Sequence, residues 1–184
     1  MLLGGVTALL PIYARDILDT GPWGLGLLRS APAVGALSMS VFLARHVIEH
    51  RAGLLMLGTV SVFGLASTVF ALSTWLELSF IALVVYGAAD AISVVIRQSL
   101  VQTRTPHGML GRVMSVNSMF SGSSGTLGEF RAGAMAAWIG TVPSALLGGV
   151  GVIIVSLLWL RLFPTLRRVE HLTGDPALAE GRKA

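Results

Sequence analysis

The chain has 184 residues, 54% of them hydrophobic and only 12% charged, with a mean hydropathy of +0.79. A soluble domain of this size cannot bury so much apolar surface, so its solvent is lipid and the expected class is an all-α integral membrane protein. The net charge of +4 does not mark a nucleic-acid partner, because the basic residues stand singly or in pairs between apolar runs, and the lack of cysteine excludes disulfides and thiolate-held metals.

Six hydrophobic segments follow one another at residues 1–14, 23–44, 52–73, 77–101, 110–136 and 142–163. Five are long enough to cross a hydrocarbon core of roughly 30 Å at about 1.5 Å per residue. The first is not. It carries Pro11 near its end, reaches only about 21 Å as a helix, and is closed by Arg15, Asp16 and Asp19. The chain is therefore expected to hold five complete spans and a truncated first one. Met1 leads straight into the apolar run, without the basic start and small-residue cleavage site of a signal peptide.

Short loops that collect Lys and Arg stay on the cytoplasmic side. One face holds Arg45, Arg51, Arg104, Arg112, Arg161, Arg167, Arg168, Arg182 and Lys183, and the other only Arg15. The tail at 164–184 and the two basic loops are thus expected in the cytoplasm of a multi-pass protein of the inner or plasma membrane. The tail has helix formers enough for a short surface helix and is assigned no chemistry.

The segments at 52–73 and 142–163 carry no charge except the terminal Arg161, which suits lipid-facing supports. The other three full spans carry buried charges, and a charge at mid-membrane, costing about 2.5 to 3.5 kcal/mol on insertion scales, is normally turned toward a cavity or a partner. Asp90 lies mid-span in Gly87-Ala88-Ala89-Asp90-Ala91, with Arg97 two turns later on the same face. A mid-membrane carboxylate can carry protons; alternatively Asp90 and Arg97 neutralise each other. Glu129 and Arg131, two apart, do not face each other on a helix, which leaves Arg29, at matching depth, as the expected partner of Glu129, either as a staple of the outer side or as part of a coupling site. Pro32 predicts a kink near Arg29.

In the fifth segment small residues recur at every fourth position, Ser124, Gly128, Ala132, Ala136 and Gly140, a smooth stripe that permits close helix packing in lipid. Gly148, Gly149 and Gly151 predict a similar contact in the last segment. Gly122-Ser123-Ser124-Gly125 looks like the serine motif of intramembrane rhomboid proteases, but His46, His50, His107 and His171 all fall in loops or the tail, so no base reaches the serine. No metal-ligand cluster, phosphate loop or nucleotide motif is present, and no cofactor is implied.

The stretch from Leu9-Leu10-Pro11-Ile12-Tyr13 to Ile17-Leu18, followed by Gly21-Pro22-Trp23-Gly24 through Leu28-Arg29-Ser30-Ala31-Pro32 to Leu37, resembles helices seven and eight of major facilitator superfamily transporters, in the secretion-effector group that includes enterobactin exporters. Gly111-Arg112-Val113-Met114-Ser115 is similar to that family's loop between helices ten and eleven, Leu127-Gly128-Glu129-Phe130-Arg131-Ala132-Gly133 to its helix eleven, and Gly148-Gly149 to its helix twelve. Arg45, His46, Glu49, His50 and Arg51 only loosely match its inner-loop motif. The resemblance implies a fold of twelve helices in two six-helix halves, of which this chain supplies the second, with the start of helix seven missing. It implies proton-driven efflux of a small hydrophobic or amphipathic molecule, drug or siderophore-like. The missing half would be supplied by a separate N-terminal half or by a homodimer partner, and a chain without either would be a non-transporting fragment or a structural partner of another membrane protein.

Overall fold

The computed structural model describes residues 5–45 and 52–162. His46, Glu49, His50 and Arg51 of the expected inner loop, and the tail at 164–184, lie outside the described residues. The described chain folds into helices α1 (Gly5–Ile12), α2 (Gly21–Arg45), α3 (Ala52–Leu72), α4 (Leu76–Arg104), α5 (Leu110–Ile139) and α6 (Thr141–Leu162), with a π-helical turn at Tyr13–Ile17 and a 3-10 turn at His107–Met109.

Charged residues do not end these helices where the apolar runs stop. The first segment winds on past Arg15 as the π-turn, in which the Leu18 N–H donates to the Tyr13 carbonyl at 2.9 Å and the Thr20 N–H to the Ala14 carbonyl at 3.0 Å. Its charges sit on the outside, where Arg15 and Asp16 pair at 3.7 Å. The reversal into α2 needs positive φ at Asp19 (46°) and Gly21 (62°), a region that only glycine enters freely. α2 then runs unbroken through Pro32.

Among the described residues, three helices are by length and composition able to cross a bilayer: Gly21–Arg45, Leu76–Thr103 and Thr141–Leu158. α3, 21 residues long, includes the apolar stretch Gly58–Leu72. α5 has 30 residues, ample length, but its serines, Asn117, Glu129 and Arg131 dilute its hydropathy.

α2 and α3 both pack along α4, α3 packs along α6, and α1 lies against α5 and α6. The tightest crossings are made by glycine. A Cβ at Gly35 would overlap the Val84 carbonyl of α4, and one at Gly87 would overlap the Pro32 carbonyl of α2. On the other side Gly149 of α6 backs onto Thr68 of α3, where a Cβ would lie 2.6 Å from Oγ1, and Gly64 faces Ile153 and Val152. The two uncharged helices therefore pair with each other, with Ser61 and Ser156 hydroxyls bonded at 3.0 Å. Between these crossings sits a core of Leu9, Leu10, Tyr13, Leu28, Phe63, Phe70, Leu83 and Tyr86. Tyr13 closes it, its ring 4.7 Å from that of Phe70 and its hydroxyl donating to the Ala71 carbonyl at 2.9 Å. The outer flanks of α2 and α5 stay uncovered by this chain, with Trp23, Leu37, Met119, Phe120, Phe130 and Trp138 exposed.

Candidate functional site

α4 has two chemically opposite sides. Ser79, Tyr86, Asp90, Ser93 and Arg97 recur at three-, four- and seven-residue spacings, which in a helix of about 100° per residue keeps them on one face. They form an interrupted polar seam over about 27 Å between Ser79 and Arg97, nearly the thickness of a hydrocarbon core, with the core residue Leu83 between Ser79 and Tyr86. Val85, Ala88 and Ile92 lie on the opposite side and, with Ala89 on the flank between, line an apolar groove.

At one end of the seam Ser79 is fully buried and donates to the Ser73 hydroxyl at 3.0 Å, which in turn donates to the Trp75 carbonyl at 3.0 Å. Next comes Tyr86, 7% exposed, its ring held 4.0 Å from that of Phe63 on α3. Asp90 follows one turn later, exposed on this chain, as is Arg97. Arg97 stands two turns beyond Asp90 on the same face, but among the described residues no ion pair joins the two. Mutual neutralisation by a direct salt bridge is thus not how this carboxylate is held.

The expected pairing of Glu129 with Arg29 is not formed. α5 packs against α1 and α6 and has no extensive contact with α2, so Arg29 stays exposed on α2. Glu129 instead accepts a hydrogen bond from the Thr7 hydroxyl of α1 at 3.3 Å. Thr7 lies in the short first segment, where nothing in the sequence marked it as a carboxylate partner. Tyr86 was also missed, although its four-residue spacing from Asp90 was a usable signal.

Of the small stripe on α5, Gly128 and Ala132 are buried and Ser124 and Ala136 half-buried. α1 lies on this stripe: a Cβ at Gly5 would be 2.9 Å from that of Ala132 and 3.8 Å from the Gly128 carbonyl. α6 reaches it too, through Ser144, whose hydroxyl donates to the Ala132 carbonyl at 2.9 Å. Gly140, the last position of the stripe, is not on the helix; it caps α5 at φ 96° and is exposed. Arg131 reaches between Gly5 of α1 and Gly148 of α6, and among the described residues its buried Nε has no hydrogen-bond partner.

The sequence profile of the transmembrane secretion effectors matches residues 3–179. The chain belongs to that family, within the major facilitator superfamily. The family consists of transporters, not enzymes, and its multi-pass membrane character agrees with the apolar helices. Over 148 residues the chain is 37% identical to an enterobactin exporter of Citrobacter koseri, covering 80% of this chain and 35% of the relative. It is 33% identical to that of Salmonella typhimurium, with 80% and 36% covered, and 29% identical over 176 residues to that of Shigella flexneri, with 92% and 43% covered. The chain thus spans about two-fifths or less of the length of these curated relatives. No solved structure matches it.

Proposed function

We propose that this secretion-effector chain is one six-helix half of a proton-coupled exporter, moving a small amphipathic, siderophore-like molecule out across the inner membrane. The polar seam on α4 carries this reading: in a family of transporters, Asp90 is a carboxylate at mid-helix, open on the side that this chain does not cover, with a cation two turns away. Asp90 takes up and releases the proton, and Arg97 balances its charge. Glu129, held by Thr7, and Arg29 act on the outer side. Ser124, Gly128, Ala132 and Ala136 let α1 and α5 lie close enough to shift against each other. The six helices cross as five full spans and a partial first one, with the tail and basic loops cytoplasmic. The uncovered apolar flanks of α2 and α5 fit a complementary set of six helices, from an N-terminal half or a second copy, and the substrate path runs between the two sets.

The test is transport by the chain joined to that complementary half in proteoliposomes. Asp90→Asn is expected to lower proton-driven efflux at least about tenfold, equivalent to roughly 1.4 kcal/mol in the rate-limiting barrier, while substrate exchange without a proton gradient persists. Equal proton-driven rates in the variant and the parent would remove Asp90 from coupling, and loss of exchange as well would make it a substrate or folding residue.

A further inference from the structure

α2 and α3 follow each other in the chain and both pack along α4, yet they make no extensive contact with each other. The gap between them is an open groove of about 570 Å³, with Met39 on the α2 wall, Leu55, Gly58 and Val62 on the α3 wall, and Val85 and Ala88 in the floor. The floor is the side of α4 opposite Asp90 and Arg97, so the groove is separate from the polar seam. Among its described lining residues the one hydroxyl, that of Thr59, donates to the Leu55 carbonyl at 2.9 Å. Water needs two to four polar partners per molecule, and this lining does not supply them. The space has nearly twenty times the roughly 30 Å³ that a water takes up in the liquid, and unfilled it would leave the lining atoms without dispersion partners.

The occupant it fits is an alkyl chain. The groove lies where α2 ends and α3 begins: Met39 is six residues, about 9 Å along the axis and about 120° round the helix, before Arg45 at the exposed end of α2, whose long side chain can swing toward the groove mouth. The hydrocarbon thus lies within the membrane and a cation stands near its surface, the spacing of a phospholipid with one acyl chain in the groove and its phosphate near the guanidinium. At Gly58 a side chain would meet nothing within 4 Å, so the wall is kept back without any packing need for glycine. We propose that the groove between α2 and α3 is a binding site for one acyl chain of an anionic phospholipid, whose headgroup is held by Arg45. The site is independent of the transport reading, because neither the seam nor the uncovered flanks contribute to it.

The test is native mass spectrometry of the full chain released from detergent, with the retained phospholipid identified by its mass. One anionic phospholipid per chain is expected to survive conditions that strip bulk lipid. Gly58→Leu, which fills the groove without a clash, should cut retention at least about tenfold, or roughly 1.4 kcal/mol of affinity. Gly122→Leu on α5, where a side chain also meets nothing within 4 Å, should leave it unchanged. Arg45→Gln should lower retention of the anionic lipid about fivefold, the effect of one basic residue at the membrane surface, and leave a zwitterionic lipid unaffected. An acyl-diazirine phospholipid should label the parent chain within 55–62 and 84–92, a readout that needs no variant. Absence of retained lipid, equal retention in Gly58→Leu, labelling confined to other segments, or a second copy of the chain retained in place of lipid would each overturn the site.

Discussion

The α2–α4 and α1–α5 crossings bring helices close by different means. At the first, two glycines are reciprocal: Gly35 sits under the backbone of Val84 and Ala88, and Gly87 under that of Pro32. Each occupies space that no side chain could share, so backbone meets backbone. At the second, Gly5 meets the methyl of Ala132, and the contact is completed by the Thr7–Glu129 hydrogen bond and by Arg131, which ends between two glycines. The first crossing is apolar and closed, and it places the polar seam of α4 on the side away from the lipid groove. The second is stitched by polar groups that can be exchanged for others. The difference suggests a fixed frame, α2 with α4, and an adjustable contact, α1 with α5.

Gly87→Leu gives the largest expected effect. With backbone on both sides, the added side chain forces the helices apart, and the cost should be about 3 kcal/mol or more, at the upper end for overpacking. The denaturation midpoint in detergent reads it, with Gly133→Leu as control, since a side chain at Gly133 meets nothing within 4 Å. Equal loss in both would erase the contrast between the two crossings. Tyr13→Phe should cost about 1 kcal/mol, the value of a typical net hydrogen bond, because the Ala71 carbonyl loses its buried donor while the ring contact with Phe70 persists. Unchanged unfolding in that variant would show that the π-turn is held by packing alone.

Arg131→Met sharpens the comparison from the other side. The arginine has a buried Nε without a partner, and replacing a poorly compensated buried charge with an apolar side chain of similar length is often neutral or stabilising. Stability should stay level or rise by about 1 kcal/mol, and a fall of about 3 kcal/mol would mean that the guanidinium makes an essential pairing. The smallest effect is expected for Thr7→Val, about 0.6 kcal/mol, the average for interhelical hydrogen bonds in membranes. A double-mutant cycle with Glu129→Gln isolates it, and no coupling between the two would dissolve the polar stitch.

Much of the local structure was readable in order along the chain. Apolar runs broken by charge or Pro/Gly mark α2 to α6, because backbone polar groups in lipid must be satisfied within a helix. The observed helices α4 and α5 each run three residues beyond the expected ends at 101 and 136: α4 continues through Gln102, Thr103 and Arg104, polar side chains that can reach the surface, and α5 through the apolar Ala137, Trp138 and Ile139 to the cap at Gly140. The end of the first segment was misjudged because the exposed Arg15 and Asp16 do not oppose a helical turn. The partner of Glu129 was misjudged because matching depth says nothing about which helices are neighbours.

By itself the sequence determined the solvent, the all-helical class, the positions of the charges along the helices and the family, since each depends on composition or on spacing along one chain. The tertiary structure decided which helices touch: that α5 meets α1 rather than α2, that Glu129 bonds Thr7, that Gly35 and Gly87 face each other's helices, and that α2 and α3 leave a groove between them. Those outcomes depend on where whole helices lie relative to one another: a periodic stripe such as Gly128 and Ala132 marks a face for close packing, but nothing within one segment names the helix that lies on it.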